Sequence, residues 1–572
     1  MTLKKILMLS STGRSVLIVA LSASLVTHPT FDSARAVHLT IAATLASPQS
    51  ASDAIREIIT SGQLSDLRWP DFSDYRVYLK NFYELSGYSL AWIRQNQATP
   101  QARAIIEILQ QADSKGLNAE DYDASRWGNR LQQLGQPAIH ARFDAALTVC
   151  AMRYVSDLRI GRVNPRHFKF GIDVERKKYD LAQFVGKRLA NGDDIQTALA
   201  EVEPPFPGYK RTEAALDRYL NLLREDDGEQ LPLVTKSIEV GKEYAGVPRL
   251  TRLLRLLGDL PPSAEVKFGS TYGEPLVEAV KNFQARHGLN PDGHLGPQTL
   301  KALNTPLSNR VEQLRLALER WRWAPDKFPQ PPVVVNIPEF RLRTYDSNGR
   351  VFLTMRVIVG KAYRHETPVF EENMQYIVFR PYWNVPPGIQ RSEIVPAVRR
   401  DREYVAKNNY EVMTPGGQFV TSGTINDEVL QQLQARKLVV RQKPGPTNAL
   451  GLVKLIFPNE HNVYLHSTPS PQLFSQSRRD FSHGCIRVEK PAELAAWALA
   501  GNNPAWALEK VRAAMESGQD NVQVNLAKPI PVLILYATAL VDESGVTHFF
   551  DDIYGYDEAL KKVLAKGYPY PG

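Results

Sequence analysis

At 572 residues, 43% of them hydrophobic and 23% charged, the chain has material for several packed cores and none of the marks of a disordered chain. The formal charge of +8 is spread along the sequence, with no Lys/Arg stripe interleaved with aromatics, which argues against a nucleic-acid binder. A mildly basic surface of this kind suits an anionic polymer, and equally well an ordinary soluble exterior.

The first 36 residues read as an export signal: Lys4 and Lys5, an apolar run over 15–26, and the small-x-small triplet Ala34-Arg35-Ala36. The run is short for a bilayer span, and Arg14 interrupts the longer stretch that begins at Ile6, so an uncleaved anchor is the alternative. No later segment is long and apolar enough to cross a membrane, and the body of the protein is expected outside the cytoplasm.

Residues 50–240 have the pattern of a helical scaffold, with Ile105, Leu109 and Ala112 on one stripe and Phe143, Leu147, Cys150, Tyr154 and Leu158 on another. Cys150 therefore belongs to an apolar helix face, packs as a small hydrophobe, and is not expected to pair with Cys485, the other cysteine. The segment 161–165 (GRVNP) reads as a plain connecting loop.

A small unit follows over 241–306. Leu276, Val280 and Phe283 share a helix face, Gly288 stops that helix, Asp292-Gly293 turns the chain, and Leu300 and Leu303 lie on a second short helix. With Tyr272-Gly273, Ala279-Val280, Phe283-Gln284, His287-Gly288-Leu289, Asp292-Gly293 and Leu303-Asn304, it resembles the small helical peptidoglycan-binding domain. That resemblance implies contact with the cell wall, and a helical spacer that has kept only the fold is the alternative. Over 307–330, Leu307, Val311, Leu314, Leu318 and Trp321 make an amphipathic helix suited to pack back on the scaffold, followed by a proline-rich linker.

From 331 to about 560 the period changes to that of strands, at 333–337, 341–345, 352–359, 376–379, 453–457, 463–466 and 532–536. Between about 388 and 440 the strand signal fades into a charged, partly helical insertion, expected to cap the cleft. The fold class is thus multidomain α+β: a helical scaffold, a small helical unit, and a mostly β catalytic domain with a capping insertion.

The chemistry gathers in Tyr464-Leu465-His466-Ser467-Thr468-Pro469 and Ser482-His483-Gly484-Cys485-Ile486-Arg487-Val488. A thiol attacks an acyl carbon as thiolate, and an ordinary cysteine is only a few per cent ionised near neutrality, so Cys485 needs a base. His466, at a strand end, can take the thiol proton, stabilise the anion as imidazolium, and return a proton to a leaving amine. Strand alternation puts Tyr464 and His466 on one face, and Gly484 lets main-chain N–H groups at Gly484 and Cys485 approach a developing oxyanion.

SHGCIRV after YLHST resembles the catalytic signature of the L,D-transpeptidase (YkuD-type) family, as do Gly360-Lys361 with Thr367-Pro368, Tyr382-Trp383-Asn384-Val385-Pro386, Arg441-Gln442 with Pro444-Gly445, and Asn448-Ala449-Leu450-Gly451. Together with the two helical regions, these resemble the large periplasmic members of that family; some members have Asn where this chain has Arg487. The resemblance implies that Cys485 takes the acyl group of a tetrapeptide stem with loss of D-alanine and passes it to the amine of a second stem, a 3-to-3 cross-link, and that carbapenems acylate the sulfur. It implies Cys485 as nucleophile, His466 as base and acid, Ser467 orienting His466 through its carbonyl, and His483 and Arg487 shaping the loop. Tyr464, Trp383, Arg487 and Asn448 are expected against substrate. The expected partners are donor and acceptor stems, with other cell-wall synthesis enzymes besides; no cofactor and no metal are expected.

Three alternatives stand beside this. Water or a lipoprotein amine could resolve the thioester on the same fold, making the protein an L,D-carboxypeptidase or a lipoprotein-to-wall ligase. A non-catalytic wall-binding scaffold would need neither Cys485 nor His466. A zinc peptidase fails on spacing: there is no HExxH, and His461 and His466 fall on opposite faces of a regular strand.

Overall fold

The computed structural model describes residues 50–570 apart from 267–268 and 502–504; the export-signal or anchor reading of 1–36 lies outside them. The helical region is organised around the helix His140–Ile160. Its apolar stripe is as the spacing predicts, yet its other side is buried too, and most polar groups there are satisfied internally, the Nε of Arg153 excepted. Asp144 accepts from the Tyr83 hydroxyl (2.8 Å) and from the main-chain N–H groups of Ala91 (3.0 Å) and Trp92 (2.8 Å). Ala51–Ser61, Arg76–Leu85 and Pro100–Gln110 pack around it, the last started by Thr99, whose side chain accepts from the Ala102 N–H ahead of Pro100 at the first turn.

The small unit carries helices Val247–Leu257, Leu276–Arg286 and Pro297–Leu303. Its core is continuous with the helices Pro207–Glu225 and Leu307–Trp323 and with the hairpin Ala539–Val541/Thr547–Phe549 contributed by the C-terminal region. Leu307–Trp323 does pack back as its apolar spacing predicts, with Trp321 so close to Gly208 that a Cβ there would lie 2.6 Å from the indole.

The catalytic region is built on a nine-stranded mixed sheet in the order Asp480–Ser482, Val351–Gly360, Ile486–Val488, Leu465–His466, Val453–Ile456, Phe370–Phe379, Val522–Leu535, Val333–Asn336, Arg341–Tyr345; the last strand also pairs with Val351–Gly360. Helices Pro491–Ala500 and Leu508–Glu516 cover it, and Val163, Phe170, Ile172 and Trp323 join its core from the helical side. Two strands run longer than the sequence suggests. In Val522–Leu535, Pro529 falls at a register shift between Asn525 and Ile530, where a missing N–H costs no ladder bond, and Pro531 is back in register opposite Asn373; this irregularity masked the strand.

The capping insertion requires a correction. Where the sequence shows a fading strand signal, the structure has a four-stranded sheet in the order Trp383–Asn384, Val439–Gln442, Tyr410–Met413, Phe419–Thr421, with its own core around Val398, Val405, Val412, Leu430, Leu433 and Val440. Its strands are two to four residues long, too short to show a period of two.

Candidate active site

The site rests on one short parallel strand pair. Leu465 is opposite Ile486 and His466 opposite Arg487, with the Ile486 N–H donating to the Tyr464 carbonyl at 3.1 Å. Leu465 and Ile486 are buried in the core, so alternation sends Tyr464, His466, Cys485 and Arg487 to the opposite face. On the antiparallel side, Lys454 is the register partner of His466, which extends the same face by a further cation.

His466 is buried, and its Nδ1 lies 2.7 Å from the Ser467 carbonyl oxygen. An imidazole that donates Nδ1–H there leaves Nε2 as its acceptor. The Ser467 hydroxyl donates to the Leu450 carbonyl at 3.2 Å and accepts from the N–H groups of Leu452 (2.6 Å) and Val453 (3.2 Å). This knot excludes side-chain bulk at Gly451, where φ is +63° and a Cβ would lie 2.1 Å from the Ser467 oxygen. Burial, reinforced by Arg487, pushes the imidazole down to about 3, against hydrogen bonds to the main chain of Ser467 and Leu450. The resting ring is therefore neutral, as a group that is to accept the thiol proton must be.

The thiol of Cys485 is partly exposed and 3.6 Å from the Asn462 carbonyl. Burial pushes its pKa up, opposed by hydrogen bonds from the Tyr464 main chain and side chain and by the charge of Arg487. At rest the two groups are thus a thiol and a neutral imidazole. Arg487 matters to both partners, and its buried Nε has no hydrogen-bond partner.

The loop bearing Cys485 is held by short polar contacts. Ser482 Oγ donates to the Cys485 carbonyl at 2.6 Å and accepts the Gly484 N–H at 3.1 Å, while Gly484, at φ +118°, gives its carbonyl to the Thr367 hydroxyl at 2.7 Å. The expected pair of oxyanion donors is thereby corrected: the Gly484 N–H is spent on Ser482, leaving the Cys485 N–H as the member of that pair. Tyr554 completes the brace, donating to the Gly360 carbonyl at 2.6 Å and accepting the Thr367 N–H at 3.2 Å.

The remaining expected site residues separate. His483 reaches out of the loop, its Nε2 2.7 Å from Glu393 of the capping insertion and its ring 4.7 Å from that of His365. Trp383 belongs to the insertion sheet, paired in register with Gln442, its ring 6.3 Å from that of Tyr410. Asn448 is 0% exposed, its amide donating to the carbonyls of Pro381 (3.1 Å) and Lys443 (2.9 Å) and accepting the Leu450 N–H (2.8 Å). It therefore braces the turn into Val453–Ile456, and the expectation that it touches substrate is withdrawn because no polar atom of it is free. Lys454, Thr367, Tyr554 and Glu393 were not picked out as site residues by sequence, although Thr367 sits in a motif that carries the resemblance and Lys454 follows shortly after another.

The wall-binding signature behaves differently. Tyr272, Ala279, Val280, Phe283, Gln284 and Leu303 are all buried. Gln284 donates to Asp292 Oδ1 (2.9 Å) and accepts the Gly293 N–H (2.8 Å), the Tyr272 hydroxyl donates to the Gly293 carbonyl (2.6 Å), and the Asn304 amide exchanges two hydrogen bonds with the main chain of Leu231. These residues make the fold. Among the described residues no group of three or more His, Cys, Asp or Glu is placed to hold a metal ion.

A thiol and a neutral imidazole on adjacent strands, flanked by a phenol and two cations, thus share one face of the sheet. Residues 331–512 match the L,D-transpeptidase catalytic domain (YkuD), 77–216 the scaffold domain, and 244–303 the domain described as "putative peptidoglycan binding domain". The chain carries an L,D-transpeptidase catalytic domain of the YkuD family, joined to a scaffold domain and a peptidoglycan-binding-type domain. A Haemophilus influenzae protein named "Putative L,D-transpeptidase" is 30% identical over 292 residues, covering 50% of this chain and 58% of that relative. A solved structure, a fused Zn-dependent amidase/peptidase/peptidoglycan-binding domain-containing protein from Clostridium acetobutylicum, covers 52% of this chain and 99% of its own at 13% identity and a TM-score of 0.15, too slight a likeness to carry any argument.

Proposed function

We propose that this protein is an L,D-transpeptidase that cross-links peptidoglycan stem peptides through a Cys485 thioester. The supporting observation is the single sheet face on which Cys485, His466, Tyr464 and Arg487 stand together. As the sulfur attacks the carbonyl joining the third residue of the donor stem to D-alanine, His466 Nε2 takes the thiol proton. The S–C bond forms, the carbonyl electrons move to oxygen, and the negative charge meets the Cys485 N–H and the nearby cations. On collapse the C–N bond breaks, His466 returns the proton to the departing amine, and D-alanine leaves a thioester. The side-chain amine of diaminopimelate in a second stem then attacks, loses its proton to His466, and expels the sulfur, giving a 3-to-3 amide.

With the imidazole neutral at rest, it is free to take the thiol proton as the sulfur attacks. The export signal read over 1–36 supports a periplasmic setting for this reaction. The test is to incubate the protein with disaccharide-tetrapeptides and weigh the products. Dimers lacking one D-alanine are expected; tripeptides alone would make the protein an L,D-carboxypeptidase, and unchanged substrate would return the non-catalytic scaffold.

A further inference from the structure

The loop 161–165, which reads as a plain connection in the sequence, forms part of the wall of a cavity of about 230 Å³ far along the chain from the nucleophile. Gly161 ends the helix His140–Ile160 at φ +83° and ψ 167°, a conformation reserved for glycine, and a Cβ there would lie 2.8 Å from Glu319 and Trp323. The chain is thus forced out of the helix in one direction, and it places Asn164 at the cavity with its side chain fixed by the Arg166 N–H at 3.0 Å.

Five tyrosines border this space: Tyr75, Tyr78, Tyr179, Tyr568 and Tyr570. They come in two pairs and a single ring, with centroids 6.2 Å apart for Tyr75 and Tyr78 and 4.6 Å apart for Tyr568 and Tyr570. The Tyr75 phenol is engaged by Ser156 and the Tyr568 phenol by Asp157, so these two rings offer carbon surface to an occupant. One polar group of the wall is left over: the Tyr179 hydroxyl is buried without a hydrogen-bond partner, an unfavourable arrangement unless an occupant meets it, whereas Arg162 is held by Glu319 at 3.5 Å and Asp121 at 3.7 Å. Lining charges of both signs, Asp74, Asp157 and Glu175 against Arg162 and Lys178, produce no field of one sign that would select an acidic stem peptide.

Aromatic carbon faces, a few fixed polar groups and mixed charge suit a ring with apolar C–H faces and an equatorial rim of hydroxyl and amide groups. We propose that this cavity is a saccharide subsite that takes an N-acetylated amino sugar of a glycan strand, holding the polymer at the scaffold while a stem peptide reaches Cys485. The glycan as the source of that sugar rests on the activity proposed above; the cavity as a sugar site does not.

The test uses the full chain, a tetramer of β-1,4-linked N-acetylglucosamine as the sugar probe, and a sugar-free tetrapeptide stem as the second probe, each followed by calorimetry and saturation-transfer NMR. The tetramer is expected to bind, with binding weakened about three- to tenfold in Tyr78→Ala, the size of one aromatic contact. Tyr179→Phe, which removes one hydroxyl and keeps the packing, is expected to weaken it about threefold or more. Both variants should retain the melting temperature and the carbapenem adduct at Cys485. No binding of the tetramer at millimolar concentration, or equal binding by both variants and the parent, overturns the proposal, as does stem-peptide binding that the two variants weaken instead. Loss of the carbapenem adduct from the parent protein would strike the transpeptidase reading alone and leave the sugar measurement intact.

Discussion

The small helical unit and the nucleophile loop were both singled out by motif, and the structure treats them in opposite ways. In the helical unit nearly every signature residue is buried, with Phe283 stacked on His287 at 3.8 Å, Gln284 pinning the 292–294 turn, and Gly288 close against Phe550 of the C-terminal hairpin region. In the loop, only the alternate residues are buried, and Tyr464, Cys485 and Arg487 remain on a face that a substrate can approach. A motif therefore marks a fold where its residues satisfy one another, and chemistry where they leave donors, acceptors or charges over.

Substitutions sharpen that contrast. Cys485→Ala should abolish cross-link formation, whereas Cys150→Ala, whose thiol is buried in the helical region and pushed far up by that burial, should leave turnover unchanged. Measuring dimer formation for both variants checks this. His466→Gln should lower turnover by about 10²- to 10⁴-fold, the usual contribution of a positioned general base, with folding retained by circular dichroism. Arg487→Gln should slow iodoacetamide alkylation of Cys485 at pH 7, since removing the cation raises the thiol pKa further and leaves less thiolate. Phe283→Ala should cost about 3–5 kcal/mol by chemical denaturation while the folded fraction keeps its rate, because that residue belongs to a core.

The same comparison has a pH signature. The imidazole of His466 is held at about 3 in the folded protein against an ordinary 6.5, so the unfolded chain binds the extra proton as pH falls between these values. The stability this contributes is complete above pH 6.5 and is lost progressively toward pH 3. Replacing His466 by Gln should flatten that part of a stability-against-pH curve; an unchanged slope would mean that the ring is solvated.

Much of this was legible in the sequence for definite reasons. Cys485 and His466 are visible because SHGC makes a poor core segment and a histidine at the end of an apolar strand lies close upstream. The helix His140–Ile160 is visible from its stripe, though its buried Asp144 and Thr148 are not, since hydroxyl and amide partners come from residues more than fifty positions away. Glu393 was out of reach for the same reason: nothing local to an insertion helix says that it will meet His483. Asn448 misled because a polar loop residue that contacts substrate and one that satisfies three main-chain groups have the same local appearance. The loop 161–165 looked featureless because its role depends on tyrosines from both ends of the described chain.

The central claim is that one sulfur carries the acyl group. Intact-protein mass spectrometry after mixing with a carbapenem tests it most directly: the account predicts a single adduct on the parent protein, mapped to the peptide containing Cys485 and absent from Cys485→Ala. An adduct of the same mass that persists in Cys485→Ala would contradict it.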